Sequence, residues 1–158
     1  MTHAGLFDAA DVAIRWCEGV GSSGTATEKE LAVRQRIAER HLRILLVDDI
    51  SNFRAALCAR LVRDYEASVD DDDCGEDALK RAYVEYDVVF IDVLMPGMSG
   101  IEVCKELQRR QITAKIALMS THLDNALAAE ANDVAFYDKT SIPMLEKILL
   151  DAAGGNSA

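Results

Sequence analysis

VVFIDVLMPGMSG, residues 88–100, is a run of core residues that ends in a carboxylate, Asp92, and opens into a loop. The four residues before Asp92 do not alternate between apolar and polar, which is typical of a strand covered on both faces in an α/β sheet. Asp92 then lies at the carboxyl end of that strand, the edge at which such sheets usually bind ligands. Pro96 and Gly100 are turn residues that let the chain leave the acid sharply and begin the next helix.

Strand and helix patterns alternate on both sides of this stretch. Apolar residues recur at helical spacing, as in Phe53, Leu57 and Leu61, and Ser51 and Ser141 occupy N-cap positions. Five βα units predict an α/β fold, a doubly wound, five-stranded parallel sheet. The expected strand order, 2-1-3-4-5, is that of flavodoxin-like sheets and is taken from them, not from the residues. Strands are predicted at 43–47, 67–69, 88–91, 115–119 and 134–137, and helices at 51–64, 75–84, 100–109, 124–131 and 142–152.

The first 41 residues stand outside this pattern. They hold an apolar stretch around Trp16, a Gly/Ser break at 19–25 and a helix candidate at 27–41, where Thr27 and Glu30 form a capping box. The predicted organisation is an N-terminal helical extension, one α/β domain and a flexible tail, at residues 1–41, 42–152 and 153–158.

The charge of the chain argues against a nucleic-acid partner. The 158 residues carry 27 acidic and 17 basic side chains, a formal net charge of −10, which repels a phosphate backbone. The basic residues of 34–43 are interleaved with Glu39 and indicate a solvated helix face. We therefore expect no direct nucleic-acid binding.

Composition also predicts a cytoplasmic protein with reduced cysteines and no membrane partner. No apolar run approaches the roughly 20 residues that a membrane span needs, and the N-terminus lacks the pattern of a signal peptide. The four cysteines form no CxxC pair, which favours packing roles over zinc or disulfides. They are Cys17, Cys58, Cys74 and Cys104.

Four predicted strands end in side chains that complement one another. Asp48 and Asp49 follow the first strand and Asp92 ends the third, and these strands flank the switch point of such a sheet. Three carboxylates held together repel, which favours raised pKa values or a hard divalent cation, and magnesium prefers oxygen ligands. Ser120 and Lys139, at the ends of the other two, add a hydroxyl and an ammonium. The set predicts a site for a phosphoryl group beside a carboxylate that can act as nucleophile.

At these motifs, residues 42 to about 152 resemble the receiver domain of two-component response regulators. The resemblance implies that Asp92 is the phosphoacceptor and that Asp48, Asp49 and Asp92, with the backbone carbonyl of Leu94, hold Mg2+. Ser120 and Lys139 would bind the phosphoryl oxygens. The similar motifs are LLVDD (45–49), FIDVLMPGMSG (90–100), ALMSTH (117–122) and FYDKT (136–140).

The resemblance extends to residues that border the site. Phe136 occupies the aromatic switch position, and Leu94 and His122 occupy the positions that tune hydrolysis of the phosphoryl group. Thr140 follows Lys139 where many receivers have proline, and the segment between Ser120 and Lys139 is short, which trims the fourth helix.

The implied function is a phosphorylation-dependent switch and not an enzyme in the ordinary sense. A histidine kinase or phosphotransfer protein would donate to Asp92, and a downstream protein target or a homodimer would carry the output. The alternative is a vestigial or kinase-independent receiver that acts as a protein-binding scaffold through its N-terminal helices. A phosphatase or dehalogenase is disfavoured because Val93 and Leu94 interrupt a DxD motif, and a dinucleotide-binding module lacks GxGxxG.

Several of these residues also have ordinary structural interpretations. Taken alone, Asp48 and Asp49 fit a capped turn before a helix, Ser120 fits a turn residue and Phe136 fits a core residue. His122 fits a surface histidine without a role. The run Asp70 to Asp73 lacks the spacing of an EF-hand loop and indicates a solvated loop instead of a second metal site.

Overall fold

The computed structural model describes residues 9–18 and 25–154. Its centre is a five-stranded parallel sheet in the order β2-β1-β3-β4-β5, which confirms the predicted fold class. The strands are β1 Arg43–Val47, β2 Ser68–Asp72, β3 Val88–Asp92, β4 Lys115–Ser120 and β5 Ala135–Asp138.

Helices cover both faces of the sheet. None of those in the described ranges has the length and apolarity that crossing a bilayer demands. The α-helices are α1 Ala9–Glu18, α2 Glu28–Ala38, α3 Ser51–Tyr65, α4 Gly75–Ala78, α5 Gly100–Arg109, α6 Ala126–Ala131 and α7 Ile142–Gly154, with 3-10 turns at Tyr83–Glu85 and Leu123–Asn125.

The sheet separates two apolar cores because successive side chains of a strand point to opposite faces. Ile44 and Leu46 of β1 pack with α3 and α7, whereas Leu45 and Val47 pack with α5. All of β3 is buried, since helices cover it on both sides. The uniform apolar run before Asp92 therefore reflects a central strand.

The N-terminal helices pack on the same core as the sheet. Ala13 and Cys17 of α1 and Ile37 of α2 are fully buried in the cluster that contains α3 and α7. The Thr27–Glu30 capping box is present: the Thr27 N–H donates to Glu30 Oε2 at 2.7 Å, and the Glu30 N–H donates to Thr27 Oγ1 at 3.2 Å. The predicted apolar stretch around Trp16 and most of the predicted Gly/Ser break cannot be compared with the structure: the Trp16 side chain and residues 19–24 lie outside its described part.

Charged side chains on α3 form polar contacts with both N-terminal helices. Asp64 lies 2.9 Å from Nε of Arg63, 3.5 Å from Nε of Arg60 and 4.0 Å from Nη2 of Arg34, which belongs to α2. Arg63 also donates to the carbonyl of Cys17 at the end of α1, at 3.4 Å. The extension is thus held by polar contacts as well as by apolar burial.

The acidic run at 70–73 differs from its predicted conformation. Asp70, Asp71 and Asp72 continue β2 and pair in register with Leu45, Leu46 and Val47. The solvated-loop interpretation is therefore wrong for these residues, because backbone pairing with β1 and partner arginines accommodate carboxylates on an edge strand. Nε of Arg81 lies 2.7 Å from Asp72, and Nε of Arg54 lies 2.6 Å from Asp71.

Three helix predictions also need correction. The helix predicted at 75–84 ends at Ala78, where the Tyr83 hydroxyl donates to the Ala78 carbonyl and the chain turns. Ser51 is the first residue of α3 and not its N-cap, since Ile50 occupies that position. The region predicted as a helix at 124–131 begins with a 3-10 turn and buries Ala129. Ser141 does accept the Met144 N–H as predicted, at 3.3 Å.

Candidate functional site

The carboxyl ends of the strands bring the predicted acids and lysine together. Lys139 Nζ lies 2.7 Å from Asp48 Oδ2 and 3.5 Å from Asp92 Oδ2. All three side chains are buried, with 3%, 0% and 5% of their residue surfaces exposed. Asp49 is exposed at the same edge, and one carboxylate oxygen from each aspartate lies within 4.8 Å of the others.

Local hydrogen bonds fix the loop that carries the acidic pair. Asp48 Oδ1 accepts the Ile50 N–H at 2.9 Å, which turns the chain into α3. Arg54 donates from Nη1 to the Asp48 carbonyl at 2.6 Å while its Nε pairs with Asp71. No role for Arg54 was predicted from the sequence. Its position in the first turn of the helix that follows Asp48 and Asp49 is the sequence feature that could have indicated a contact with the acidic pair.

Lys139 is held in the pocket by its surroundings. Its ammonium lies 4.4 Å from the centroid of the Phe53 ring, a cation–π contact that helps a buried charge. Its backbone N–H donates to the Ser120 carbonyl at 3.0 Å, because β5 pairs with β4 up to this point. No peptide bond among the described residues is cis, and Thr140 donates to Asp138 from both its N–H and its hydroxyl.

The pocket changes the acidity of Asp92. The pKa of this carboxyl is raised from its usual 3.8 to about 7: burial is the largest cause, Lys139 opposes it, and the charges of Asp48 and Asp49 add to the rise. The raised pKa shows that the ionised form is poorly compensated by the protein alone. Asp92 therefore needs a proton or an additional cation at neutral pH.

The donor set fits magnesium. Three carboxylates face a single ammonium among the described contacts of the pocket, which leaves an excess of negative charge. Carboxylate oxygens are hard ligands of the kind that Mg2+ prefers, and the exposed Asp49 leaves the site open to water. Asp48, Asp49 and Asp92 are therefore suited to hold this ion.

Ser120 lies at the same edge, but its hydroxyl is engaged elsewhere. The residue is 3% exposed at the end of β4, between β3 and β5. Its Oγ accepts the His122 N–H at 3.0 Å and the Asn125 side-chain amide at 2.8 Å. Sequence reasoning missed Asn125, and an amide five residues after a strand-end serine is too common a pattern to single it out.

The remaining predicted residues surround this group. Leu94 is 62% exposed on the loop after Asp92, and His122 is exposed on the loop after Ser120. Phe136 is partly buried against the core that contains α5. The structure therefore places the predicted switch and tuning residues around one edge of the sheet, with Phe136 less exposed than Leu94.

Glycine is required in the loop that follows Asp92. A Cβ atom on Gly100 would overlap the carbonyl oxygen of Asp92, since the start of α5 packs directly on the end of β3. Gly97 has a φ of +76°, which favours glycine. A second capping box, between Ser99 and Glu102, begins α5 and was not predicted. The loop is built to keep the helix start close to the acid.

At its carboxyl edge this doubly wound sheet brings together two buried aspartates, a third aspartate, a lysine and a serine. The family profile described as the response regulator receiver domain matches residues 44–152. The chain therefore belongs to the response regulator receiver family. Receiver domains are signalling modules of two-component systems, and the family is not one of enzymes in the ordinary sense.

Similar proteins agree with this assignment. Response regulator UvrY of Escherichia coli K12 is 32% identical over 108 residues, which cover 65% of this chain and 49% of that protein. Transcriptional regulatory protein ResD of Bacillus subtilis is 33% identical over 97 residues, which cover 61% of this chain and 38% of ResD. The chain thus spans about half or less of the length of these curated relatives.

Solved structures show the same fold. TrrA of Thermotoga maritima, a response regulator in complex with Mg2+ and BeF, superposes with a TM-score of 0.62 at 32% identity, covering 70% of this chain and 98% of TrrA. The receiver domain of the histidine kinase CKI1 of Arabidopsis thaliana superposes with a TM-score of 0.64 at 20% identity, covering 78% and 97%. The second likeness concerns the fold alone.

Proposed function

We propose that this receiver is a phosphorylation-dependent switch in which Asp92 accepts a phosphoryl group from a histidine kinase or a phosphotransfer protein. The observation that supports the proposal best is the position of Asp92: a buried carboxylate at the end of a central strand, 3.5 Å from the ammonium of Lys139. A rigid strand presents the nucleophile at the crevice, where a donor can reach it.

The chemistry is a transfer between two proteins. A carboxylate oxygen of Asp92 attacks the phosphorus of a phosphohistidine, the new P–O bond forms as the P–N bond breaks, and the released imidazole takes up a proton. The product is an acyl phosphate on Asp92. Lys139 neutralises charge on the phosphoryl oxygens, and Ser120 supplies a hydroxyl donor from β4.

Mg2+ completes the charge balance in this proposal. Asp48, Asp49, Asp92 and the backbone carbonyl of Leu94 are the groups that would hold it. When bound, the ion supplies positive charge that offsets the three carboxylates and the incoming phosphoryl group. The side chains keep their own tasks: Asp48 also pairs with Lys139, and Asp49 remains exposed at the edge.

The output is a change in protein contacts in the cytoplasm. A phosphoryl group on Asp92 shifts the population only if it stabilises one conformation over the other, and contacts to Ser120 and Lys139 provide that difference. Phe136 lies on β5 and would report the change to a downstream protein or to a second copy of the chain. Leu94 and His122 border the crevice and set how easily water reaches the acyl phosphate.

Small-molecule phosphorylation tests the proposal. The intact chain is incubated with Mg2+ and acetyl phosphate, and intact mass spectrometry looks for one added phosphoryl group. Asp92→Asn should gain nothing, and Asp124→Asn, an exposed aspartate on the loop after β4, should behave as the wild type. Added mass in Asp92→Asn at the wild-type level would contradict the assignment of the phosphoacceptor.

A scaffold is the second candidate function, and the packing of the N-terminal helices favours it. Ala13, Cys17 and Ile37 bury the extension on the face formed by α3 and α7, so the receiver and its extension form one body. If the chain is a scaffold, the wild type and the Asp92→Asn variant should bind the partner with the same affinity, and Mg2+ should not change that affinity. Partner binding that depends on phosphorylation excludes it.

A further inference from the structure

The hydroxyl of Ser120 is restrained by the turn that follows β4. Among the described residues, its oxygen accepts from the Asn125 amide and the His122 N–H and has no hydrogen bond to Lys139 or Asp92. Asn125 ends the 3-10 turn Leu123–Asn125, and α6 starts at the next residue. One side-chain amide therefore joins the strand-end hydroxyl to the start of a helix.

The direction of these hydrogen bonds matters. Asn125 donates from Nδ2, so the Ser120 oxygen faces the turn and its lone pairs are directed to two N–H donors. Ser120 is also almost fully buried, which leaves little water to replace a lost partner. Rotation about the Cα–Cβ bond of Ser120 would carry its oxygen away from the Asn125 amide.

We propose that Asn125 is a positioning residue that holds the Ser120 hydroxyl away from the phosphoryl site and thereby favours the unphosphorylated conformation. The inference rests on the proposed function, because it concerns the same hydroxyl. Asn125 lies outside the group of acids, serine and lysine, and its hydrogen bond to Ser120 is the bond that is broken when the switch changes state.

The position of Asn125 gives this bond a consequence on the surface. Leu123 and Leu127 lie on either side of it and are 66% and 70% exposed, an apolar pair on the segment that the amide fastens. When the Ser120 hydroxyl turns away from Asn125, the 3-10 turn loses the hydrogen bond that joins it to the end of β4. Phosphorylation then alters the order of this segment as well as the chemistry of the crevice.

The first test measures the restraint as an affinity. The wild-type chain and its Asn125→Ala variant, each comprising all 158 residues, are titrated with beryllofluoride, a phosphoryl mimic, at saturating Mg2+, with binding followed by NMR. Loss of one neutral hydrogen bond that opposes the bound state should tighten binding about three- to tenfold. Asn132→Ala is the matched control, because the Asn132 amide donates within the same segment to the Ala128 carbonyl at 2.7 Å and does not touch Ser120.

A double-mutant cycle separates the proposed bond from a general loosening of the loop. In the Ser120→Ala background there is no hydroxyl to restrain, so adding Asn125→Ala should leave beryllofluoride affinity unchanged. The same tightening in that background would overturn the proposal, because the effect would then arise elsewhere in the turn. Equal affinities of wild type and Asn125→Ala would also overturn it.

The Asn125 amide can be observed directly. Its side-chain signal, assigned by its loss in Asn125→Ala, should shift toward the position of a free amide when the wild type binds Mg2+ and beryllofluoride. An unchanged amide signal in the bound protein would show that the bond persists and would refute the restraint.

The outcomes distinguish this inference from the function on which it rests. Binding by both proteins with equal affinity leaves the switch function intact and removes the role of Asn125. Absence of beryllofluoride binding together with absence of phosphorylation by acetyl phosphate removes the proposed function, and the role of Asn125 with it. A variant Asn125→Ser, whose side chain is too short to reach Ser120, repeats the test if the alanine variant does not fold.

Discussion

Replacing Asp92 with Asn should stabilise the metal-free protein at neutral pH. The change keeps the shape of the side chain and removes the charge that the pocket compensates poorly. Burial raises the pKa of Asp92 from 3.8 to about 7. The folded protein therefore holds a proton between these pH values that the unfolded chain has released, so the free energy of unfolding falls as pH rises through this window and levels off above pH 7.

The size of the effect follows from the shift. A pKa difference of about 3 units corresponds to roughly 4 kcal/mol at pH 8, as an upper limit, since each unit is about 1.4 kcal/mol. At pH 5 the same linkage gives about 1.5 kcal/mol. The stability advantage of Asp92→Asn over the wild type should therefore grow by roughly 2–3 kcal/mol between these two pH values.

Urea unfolding of both proteins at pH 5 and pH 8 in EDTA measures this difference. The comparison cancels the titration of other carboxylates and of histidines, because both proteins share them. Mg2+ at pH 8 should then stabilise the wild type more than the variant, since only the wild type keeps all three carboxylates. An advantage that is the same at both pH values, or an Asp92→Asn protein less stable at pH 8, would refute the electrostatic account.

Three other changes test different parts of the structure. Mg2+ binding requires Asp92 to lose its proton, so the affinity of the protein for Mg2+, measured by calorimetry, should rise as pH increases toward 7 and then level off. An Mg2+ affinity that does not change between pH 6 and pH 8 contradicts this. Lys139→Gln removes the cation that pairs with the fully buried Asp48, so the free energy of unfolding of the metal-free protein at pH 8 should fall by about 3–5 kcal/mol. An unchanged urea midpoint would exclude a role for this ion pair. Ile37→Ala should lower the free energy of unfolding by about 2–4 kcal/mol because the Ile37 side chain is fully buried. Leu31 lies on the same helix but is 52% exposed, so Leu31→Ala should change the free energy of unfolding little. Equal losses in the two variants would show that α2 does not pack as described.

Hydrophobic pattern predicted the five-stranded sheet, and strand-end chemistry predicted that the acids and the lysine lie close together. A buried parallel strand needs a continuous apolar run, so residues 88–91 identified β3 before any contact was known. The acids and the lysine could be placed together because parallel strands end at one edge of the sheet. The family profile then matched residues 44–152, a range that includes all of these strand ends.

Local pattern failed where a distant partner determines the conformation. The acidic residues Asp70, Asp71 and Asp72 suggest a loop by composition, yet they form β2 because β1 supplies backbone partners and arginines supply charge. Tyr83 continues a helical pattern but instead donates to the end of α4, since its ring is buried in the core. In both cases contacts from elsewhere in the chain outweigh local preference.

Periodicity and strand ends are enough to predict the fold class, the edge of the sheet that carries the site and the chemical types gathered there. The contacts between these groups depend on the three-dimensional packing: Lys139 lies closer to Asp48 than to Asp92, the Asn125 amide donates to Ser120, and α1 and α2 bury apolar residues on the receiver core. Those facts depend on distances between residues far apart in the chain, and a pattern of neighbouring residues does not encode them.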